Sequence, residues 1–402
     1  MIWQILIAIL AGVTSGIVTG LIPGIHINLV SVLLVSAGGY FIGLDPILIG
    51  VFIVAMSVTH TFLDSIPSTF LGAPDADMAL NVLPAHRMLI KGQGYEAVKL
   101  TVVGSLLSLI AVVSLIPIMI QIAPGIYEFL QPFIGWILLG VVVYIIMIEN
   151  GIDKKILGLF VFILSGFLGI IVLGIPNLNQ PLFAMLSGLF GVSTLVISLK
   201  NKNKIPEQRF DKEIKVGKKK TAKAISAAVF SGSLTGLFPG LGSAQAAIIG
   251  MQLVGKIGMH GFMILIGGIN TVNFIFSLVT FYTLQKARNG GIVAMQQIIE
   301  KINLSEMGIL IATVLIAGGI ATLLALKITK IFAKVIGKIN YQKTCYSIIF
   351  LIVILTMLFN GYFGLLILFT SSVIGMLPAF FMVKRSLAMG CLLLPVILFF
   401  LL

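Results

Sequence analysis

His60 and Asp64 stand four residues apart at the end of an apolar run. On a helix that spacing puts an imidazole and a carboxylate on one face. Titratable groups inside an apolar span tend to mark ion or proton pathways. The pair is therefore the candidate for carrying a coupling proton or sodium ion; the plainer alternative is a histidine satisfied by packing. Thr59, Ser65, Pro67, Ser68 and Thr69 surround it. A second polar group, Asn270, Thr271, Asn273 and Ser277, lies in another apolar run, and an offset of 212 residues aligns Thr59 with Thr271 and Ser65 with Ser277. Polar side chains in such runs line a pathway or hydrogen-bond between helices. No nucleophile–base set and no His-Glu-x-x-His motif is present, so an enzyme is not expected. His26, His60, His86 and His260 have no metal-ligand spacing, and Cys345 and Cys391 are distant from one another. No metal site and no cofactor is expected beyond a coupling ion.

A second kind of chemistry comes from the backbone. Ser15–Gly24 and Ser231–Gly240 share seven of ten residues at an offset of 216, and both end in Pro-Gly. Proline removes a helix donor and glycine relaxes the chain, so each pair stops a helix. The arm that follows opens with free N–H groups and the positive end of a helix dipole, which together make an anion site. His26 and Asn28 follow Pro23-Gly24, while Gly242, Ser243 and Gln245 follow Pro239-Gly240. These residues can donate hydrogen bonds or leave room. A kink between packed helices would be the structural alternative.

The elements that hold these residues are membrane helices. The chain has 402 residues, 59% hydrophobic and 10% charged, against about 25% charged in a soluble domain. Apolar runs long enough to span a bilayer recur throughout, and an open sheet edge does not survive in lipid. The expected fold is an all-α polytopic membrane protein. Met1–Gly20 lacks the basic start of a signal peptide and reads as a span. Each half is expected to hold a Pro-Gly-broken hairpin and five single spans. In the first half these are Pro46–Leu63, Tyr95–Gln121, Glu128–Met147, Lys154–Gly174 and Pro181–Leu199; in the second, His260–Leu284, Leu304–Leu326, Thr344–Phe359, Tyr362–Val383 and Ser386–Leu402. The repeats are 1–199 and 224–402, joined by a basic linker at 200–223.

Charge then orients the chain. The net charge is +13, and Lys200–Lys223 alone holds ten Lys or Arg. With that linker in the cytoplasm, 23 of 26 Lys and Arg fall on the same side, as the positive-inside bias requires. Nucleic acid is thus not the expected partner; anionic membrane lipid is compatible. Five is an odd number of spans, so the second half enters from the opposite side. That is an inverted-topology repeat, an architecture of secondary transporters, with both termini outside. Lys286 and Arg288 fall outside too, where they either draw in an anion or are simply solvated.

Several stretches resemble one family. They are Gly-x-x-x-Gly-x-x-Pro-Gly at Gly16–Gly24 and Gly232–Gly240, Ile66-Pro67-Ser68-Thr69, and Pro84-Ala85-His86-Arg87 followed by Lys91-Gly92-Gln93-Gly94-Tyr95-Glu96-Ala97. Together they are similar to the large permease subunit of tripartite tricarboxylate transporters, over nearly the whole chain. The resemblance implies a multi-pass permease of the cytoplasmic membrane, moving a small organic anion, a di- or tricarboxylate, with a proton or sodium gradient. It also implies a small membrane subunit and an extracytoplasmic binding protein as partners. Substrate contacts would fall around Pro23–Asn28, Thr59–Thr69, Pro239–Gln245 and Asn270–Asn273. His26 departs from the family, whose first break usually has a second glycine there; Gly242 keeps it in the second copy. The chain is also shorter than typical members, as a compact, divergent branch would be. The alternative is a transporter of polyprenyl-phosphate lipid carriers, since phosphate suits a helix N-terminus equally well.

Overall fold

The computed structural model describes residues 1–22, 27, 45–70, 78, 82–176, 178, 181–199, 206–210, 216–238, 242–255, 257–335 and 341–402. Among these all regular structure is helical. A helix satisfies its own backbone groups, which is what a lipid interior demands. Seven helices are long and apolar enough to cross a membrane, and two shorter apolar helices cover Pro181–Ile197 and Arg385–Leu401. Of the two expected breaks, Pro23, Gly24, His26, Asn28, Pro239 and Gly240 lie outside the described residues.

In chain order the helices are α1 (Ile2–Leu21), α2 (Pro46–Leu63), α3 (Ser65–Phe70), α4 (Val82–Ile90), α5 (Gly94–Leu130), α6 (Ile134–Met147) and α7 (Ile152–Gly174). Next come α8 (Pro181–Leu186), α9 (Ser193–Leu199), α10 (Lys218–Leu237), α11 (Ser243–Val254) and α12 (Gly258–Leu284). The last are α13 (Gly290–Ile298), α14 (Leu304–Val335), α15 (Tyr341–Phe380) and α16 (Gly390–Leu401). Local sequence explains several starts. Asp45 caps α2 by accepting from the Ile47 N–H at 3.1 Å, with Pro46 at the first helical position. Asn303 and Glu306 form a reciprocal capping box at α14, at 2.8 and 2.9 Å.

Two boundaries differ from expectation. The helix expected at Tyr95–Gln121 continues through Pro117 and Pro124 to Leu130, and the chain breaks only at the 3-10 turn Gln131–Phe133. Proline is tolerated inside membrane helices, where neighbouring groups re-satisfy the backbone, so Pro124 did not end the span. The separation of Thr344–Phe359 from Tyr362–Val383 survives as a kink inside α15, where Gly361 takes φ 60°.

Two helices form the centre. In the apolar stretch of α2 running into α3, 83% of residues are buried inside the protein, and in that of α12, 89%. The other spanning helices bury 28–44%, and turn large side chains such as Ile7, Phe167, Leu323 and Phe369 outward. Among the described spanning helices, α2 with α3 and α12 are the ones wrapped by protein nearly all round. Polar residues along them are shielded from lipid.

Glycines bring neighbouring backbones close. A Cβ on Gly16 of α1 would lie 2.6 Å from the Met56 carbonyl oxygen and 2.6 Å from Thr59 Cβ. On Gly232 of α10 it would lie 2.7 Å from Val272 Cβ and 3.1 Å from the Ile269 carbonyl oxygen. Four residues on, Gly20 meets Leu63 and Gly236 meets Phe276. The two helix pairs, α1 with α2 and α10 with α12, are thus built alike. Their contacts match at an offset of 213: Met56 with Ile269, Thr59 with Val272, Leu63 with Phe276. The hydroxyl residues had aligned at 212. One residue turns a helix by about 100°, so Thr59 and Thr271 are not equivalent. His60 and Asp64 correspond in place to Asn273 and Ser277.

Contacts also give relative directions. Glu96 meets His260, Gly104 meets Ile264 and Ser108 meets Gly268, so α5 and α12 run parallel. Gly50 meets Leu310 and Val58 meets Gly318, so α2 and α14 run parallel. Between α2 and α12 the order reverses, with Thr61 against Thr271 and Asp64 against Asn270.

Replacing Gly232 by leucine should force α10 off α12 and destabilise the fold by about 1–3 kcal/mol or more. Gly125, which has nothing within 4 Å of an added Cβ, should accept alanine with no loss, and with a gain of up to about 1 kcal/mol from helix propensity. Thermal unfolding of the purified variants in detergent checks both; equal destabilisation would mean that the close contact of α10 with α12 does not set stability.

Candidate functional site

The polar groups of α2 and α12 meet where the two helices cross. Asp64, the residue that ends α2, accepts from the Asn270 side-chain amide at 2.5 Å. Both are 3% exposed. Three residues earlier, the hydroxyls of Thr61 and Thr271 are 3.4 Å apart. His60 turns the other way, sharing a hydrogen bond of 3.1 Å between its Nδ1 and Thr19 of α1. Thr19 also donates to the Gly16 carbonyl at 3.3 Å. A hydroxyl has one proton, so with that bond made, Nδ1 of His60 is the donor. The expected acid–base pair is therefore split between two neighbours: His60 addresses the first helix of its own half, and Asp64 addresses the other half.

Hydroxyls in apolar helices normally bond back to a carbonyl one turn earlier. Ser65 does so to Phe62 at 3.2 Å and Ser68 to Ser65 at 3.0 Å. Others in this centre do not. Ser57, Thr59, Thr69, Ser108, Ser231 and Ser277 are buried with no hydrogen-bond partner among the described residues. Leaving a buried hydroxyl unpaired costs about 1–3 kcal/mol. Their concentration on α2, α3, α5, α10 and α12 describes an interior suited to water or a polar solute.

At the second break, α11 opens with Ser243 directly after half-buried Gly242. The Ser243 hydroxyl is 3% exposed and also has no hydrogen-bond partner among the described residues. A buried donor thus stands at the start of a twelve-residue helix, where the dipole favours an anion. Gln245 lies in the same turn, with its side chain outside the described set. Pro67 is buried in α3 and Asn273 is half-buried on α12.

Sequence reasoning missed Thr19, Ser57, Thr61 and the short helix α13. Thr19 had a signal, since it repeats as Thr235 within the duplicated motif. Helix α13 starts at Asn289, whose side chain accepts from the Gly291 N–H at 3.0 Å. A Cβ on Gly291 would be 3.0 Å from the Ser57 hydroxyl and 3.2 Å from Ile27. The start of α13 therefore reaches both the polar centre and the arm that follows the first break.

Comparison with known proteins decides the family. The profile described as "Tripartite tricarboxylate transporter TctA family" matches residues 6–390. The chain belongs to the tripartite tricarboxylate transporter TctA family. It is also similar, at 30% identity, to an uncharacterized protein of Methanocaldococcus jannaschii, over 98% of this chain and 99% of that one. No solved structure matches it. TctA proteins are transporters, so the duplicated breaks and the polar centre belong to a multi-pass membrane transport protein.

One stretch that resembles other TctA proteins is architectural here. Lys91–Glu96 turns α4 into α5, with Gly92 at φ 75°. A linker segment, 206–210, docks on this corner. Buried Gln208 accepts from the Gly94 N–H at 2.8 Å and donates to the Leu89 carbonyl at 3.2 Å. Arg209 N–H donates to the Gly92 carbonyl at 2.8 Å, and the Phe210 ring lies 5.6 Å from Tyr95. A basic groove of about 640 Å³, bordered by Lys219, Lys220, Lys223 and His260, opens beside the linker rather than at the polar centre.

Asn270→Leu should leave Asp64 without its amide partner and lower stability by about 1–3 kcal/mol. Asn273→Leu, at a half-buried position with no side-chain hydrogen bond among the described residues, should stay within about 0.5 kcal/mol of wild type. Thermal unfolding in detergent separates them, and matching losses would remove the special standing of the Asp64–Asn270 contact.

Proposed function

We propose that the protein is a secondary active transporter of a small organic anion, a di- or tricarboxylate, working by alternating access in the cytoplasmic membrane. One observation carries the reading: the buried Ser243 hydroxyl at the start of α11, without a hydrogen-bond partner among the described residues and four positions after Pro239-Gly240 begins. Carboxylate oxygens accept from such a hydroxyl and from first-turn N–H groups. Family membership supports the substrate class. The arms around Pro23–Asn28 and Pro239–Gln245 would hold the anion between them, with Thr59, Ser65 and Ser68 of α2 and α3 and with Asn270 and Asn273 of α12.

The two repeats are proposed to be inverted in the membrane. The like-built pairs α1–α2 and α10–α12 support this, together with the reversed order of contacts between α2 and α12. The basic linker is then cytoplasmic and both termini are outside. His60 and Asp64 are proposed to carry the coupling proton or sodium ion. Asp64 suits that role because it bonds across to the other repeat. Loading its carboxylate with a cation competes with the Asn270 amide and so biases how the repeats sit against each other. A small membrane subunit and an extracytoplasmic binding protein are the proposed partners.

Uptake of labelled citrate and succinate into right-side-out membrane vesicles from cells expressing the chain tests this. Uptake should rise with an imposed inward proton or sodium gradient and collapse with the matching ionophore. Asp64→Asn should lose the gradient stimulation while still exchanging internal for external substrate. Wild-type uptake that ignores both gradients would rule out coupled transport.

A further inference from the structure

The turn joining α12 to α13 carries two cations on one phenol. Lys286 Nζ donates to the Tyr127 hydroxyl oxygen at 3.0 Å, and Arg288 Nη2 donates to the same oxygen at 3.4 Å. Both also sit against the ring, at 4.3 and 5.9 Å from its centroid. Tyr127 is 6% exposed, whereas the cations are half-buried. Neither cation has an ion pair with a carboxylate among the described residues. A phenol oxygen that accepts twice still has its own proton to donate. Lys286 and Arg288 likewise keep further N–H donors. Two like charges held together on a neutral acceptor repel each other, and an anion accepting from all three groups would relieve that repulsion.

Its position fits a step in transport. Phe276, on the same helix, packs against Gly236 just before the second break. From there α12 rises nine residues to its end at Gln285, about 13 Å along the axis. The Gln285 carbonyl accepts from Gln296 of α13 at 2.9 Å, and Gly291 of α13 touches Ile27 beyond the first break. The turn therefore links helices that reach both breaks. In the proposed orientation it faces outward.

We propose that Lys286, Arg288 and Tyr127 form an outer capture site that binds a carboxylate group of the anion before it reaches the breaks. This rests on the transport reading, and two readouts keep the ideas separable. In right-side-out vesicles carrying the full chain, Lys286 is acylated with a membrane-impermeant amine reagent and its modification followed by mass spectrometry. Citrate, and inorganic phosphate as a second anion, should slow the modification, and Arg288→Gln should abolish that protection while Arg288→Lys retains it. In uptake assays, Lys286→Gln, Arg288→Gln and Tyr127→Phe should each raise KM about fivefold, the effect of losing one short-range polar or charged contact in a water-facing site, with kcat within about twofold. Protection without any uptake would keep the capture site and remove the transport reading. Uptake with unchanged KM, and a Lys286 protected by neither anion, would overturn the capture site and leave transport standing. Protection of Lys286 by either anion is read on the wild-type chain first, so a variant that fails to fold does not blunt the test.

Discussion

A polar group inside a bilayer must be wrapped by protein, and that constraint shapes this molecule. Asp64, His60 and Asn270 stand in helices whose surroundings are almost wholly protein, each 3% exposed. The outer helices α1, α5, α7, α14 and α15 take the lipid contact and supply the wrapping. Were the end of α2 on the periphery, the Asp64 carboxylate facing hydrocarbon would cost several kcal/mol. Placing both at the centre makes room for the bond between Asp64 and Asn270, which joins one half of the chain to the other beside the Thr61–Thr271 contact. Glycines make the room, because at Gly12, Gly16 and Gly20 α1 comes close against α2, and at Gly232 and Gly236 α10 comes close against α12.

The duplicated motif therefore has two duties. Its glycines seal a helix pair, and the helix stops at Leu21 in one copy and Leu237 in the other, just ahead of the Pro-Gly in the sequence. The two copies keep Ser, both inner glycines, Thr, Leu and Pro-Gly, and differ at Ile17 against Ser233, Val18 against Leu234 and Ile22 against Phe238. The copies diverge after the break. Gly242 and Ser243 leave a small, hydrogen-bonding surface in one, while His26 stands in the other. Two inverted but unequal arms would give the transporter a distinct inner and outer face.

Much of this was legible in the sequence, for physical reasons. Composition forces a membrane protein, and the end of α2 was readable because Asp45-Pro46 is a strong start signal and Asp64 falls where the helix stops. The continuation of α5 past Gln121 was not readable, because proline ends helices in water more dependably than in a membrane protein. The one-residue error in aligning α2 with α12 arose from matching hydroxyls. Position on a helix is set instead by what packs against glycine, and Thr59 and Val272 fill the same space with different chemistry. Helix α13 was hidden in a stretch too short and too polar to read as a span. Tyr127 lies 159 residues from Lys286, and no local pattern connects them.

We propose that an anion binds at the start of α11, on the Ser243 hydroxyl. A cryo-electron-microscopy map of the protein with bound citrate tests it most directly. Density for carboxylate oxygens is expected within hydrogen-bonding distance of Ser243 and the first turn of α11. Citrate density confined to the basic groove at Lys219, Lys220 and Lys223, with none at Ser243, would contradict it.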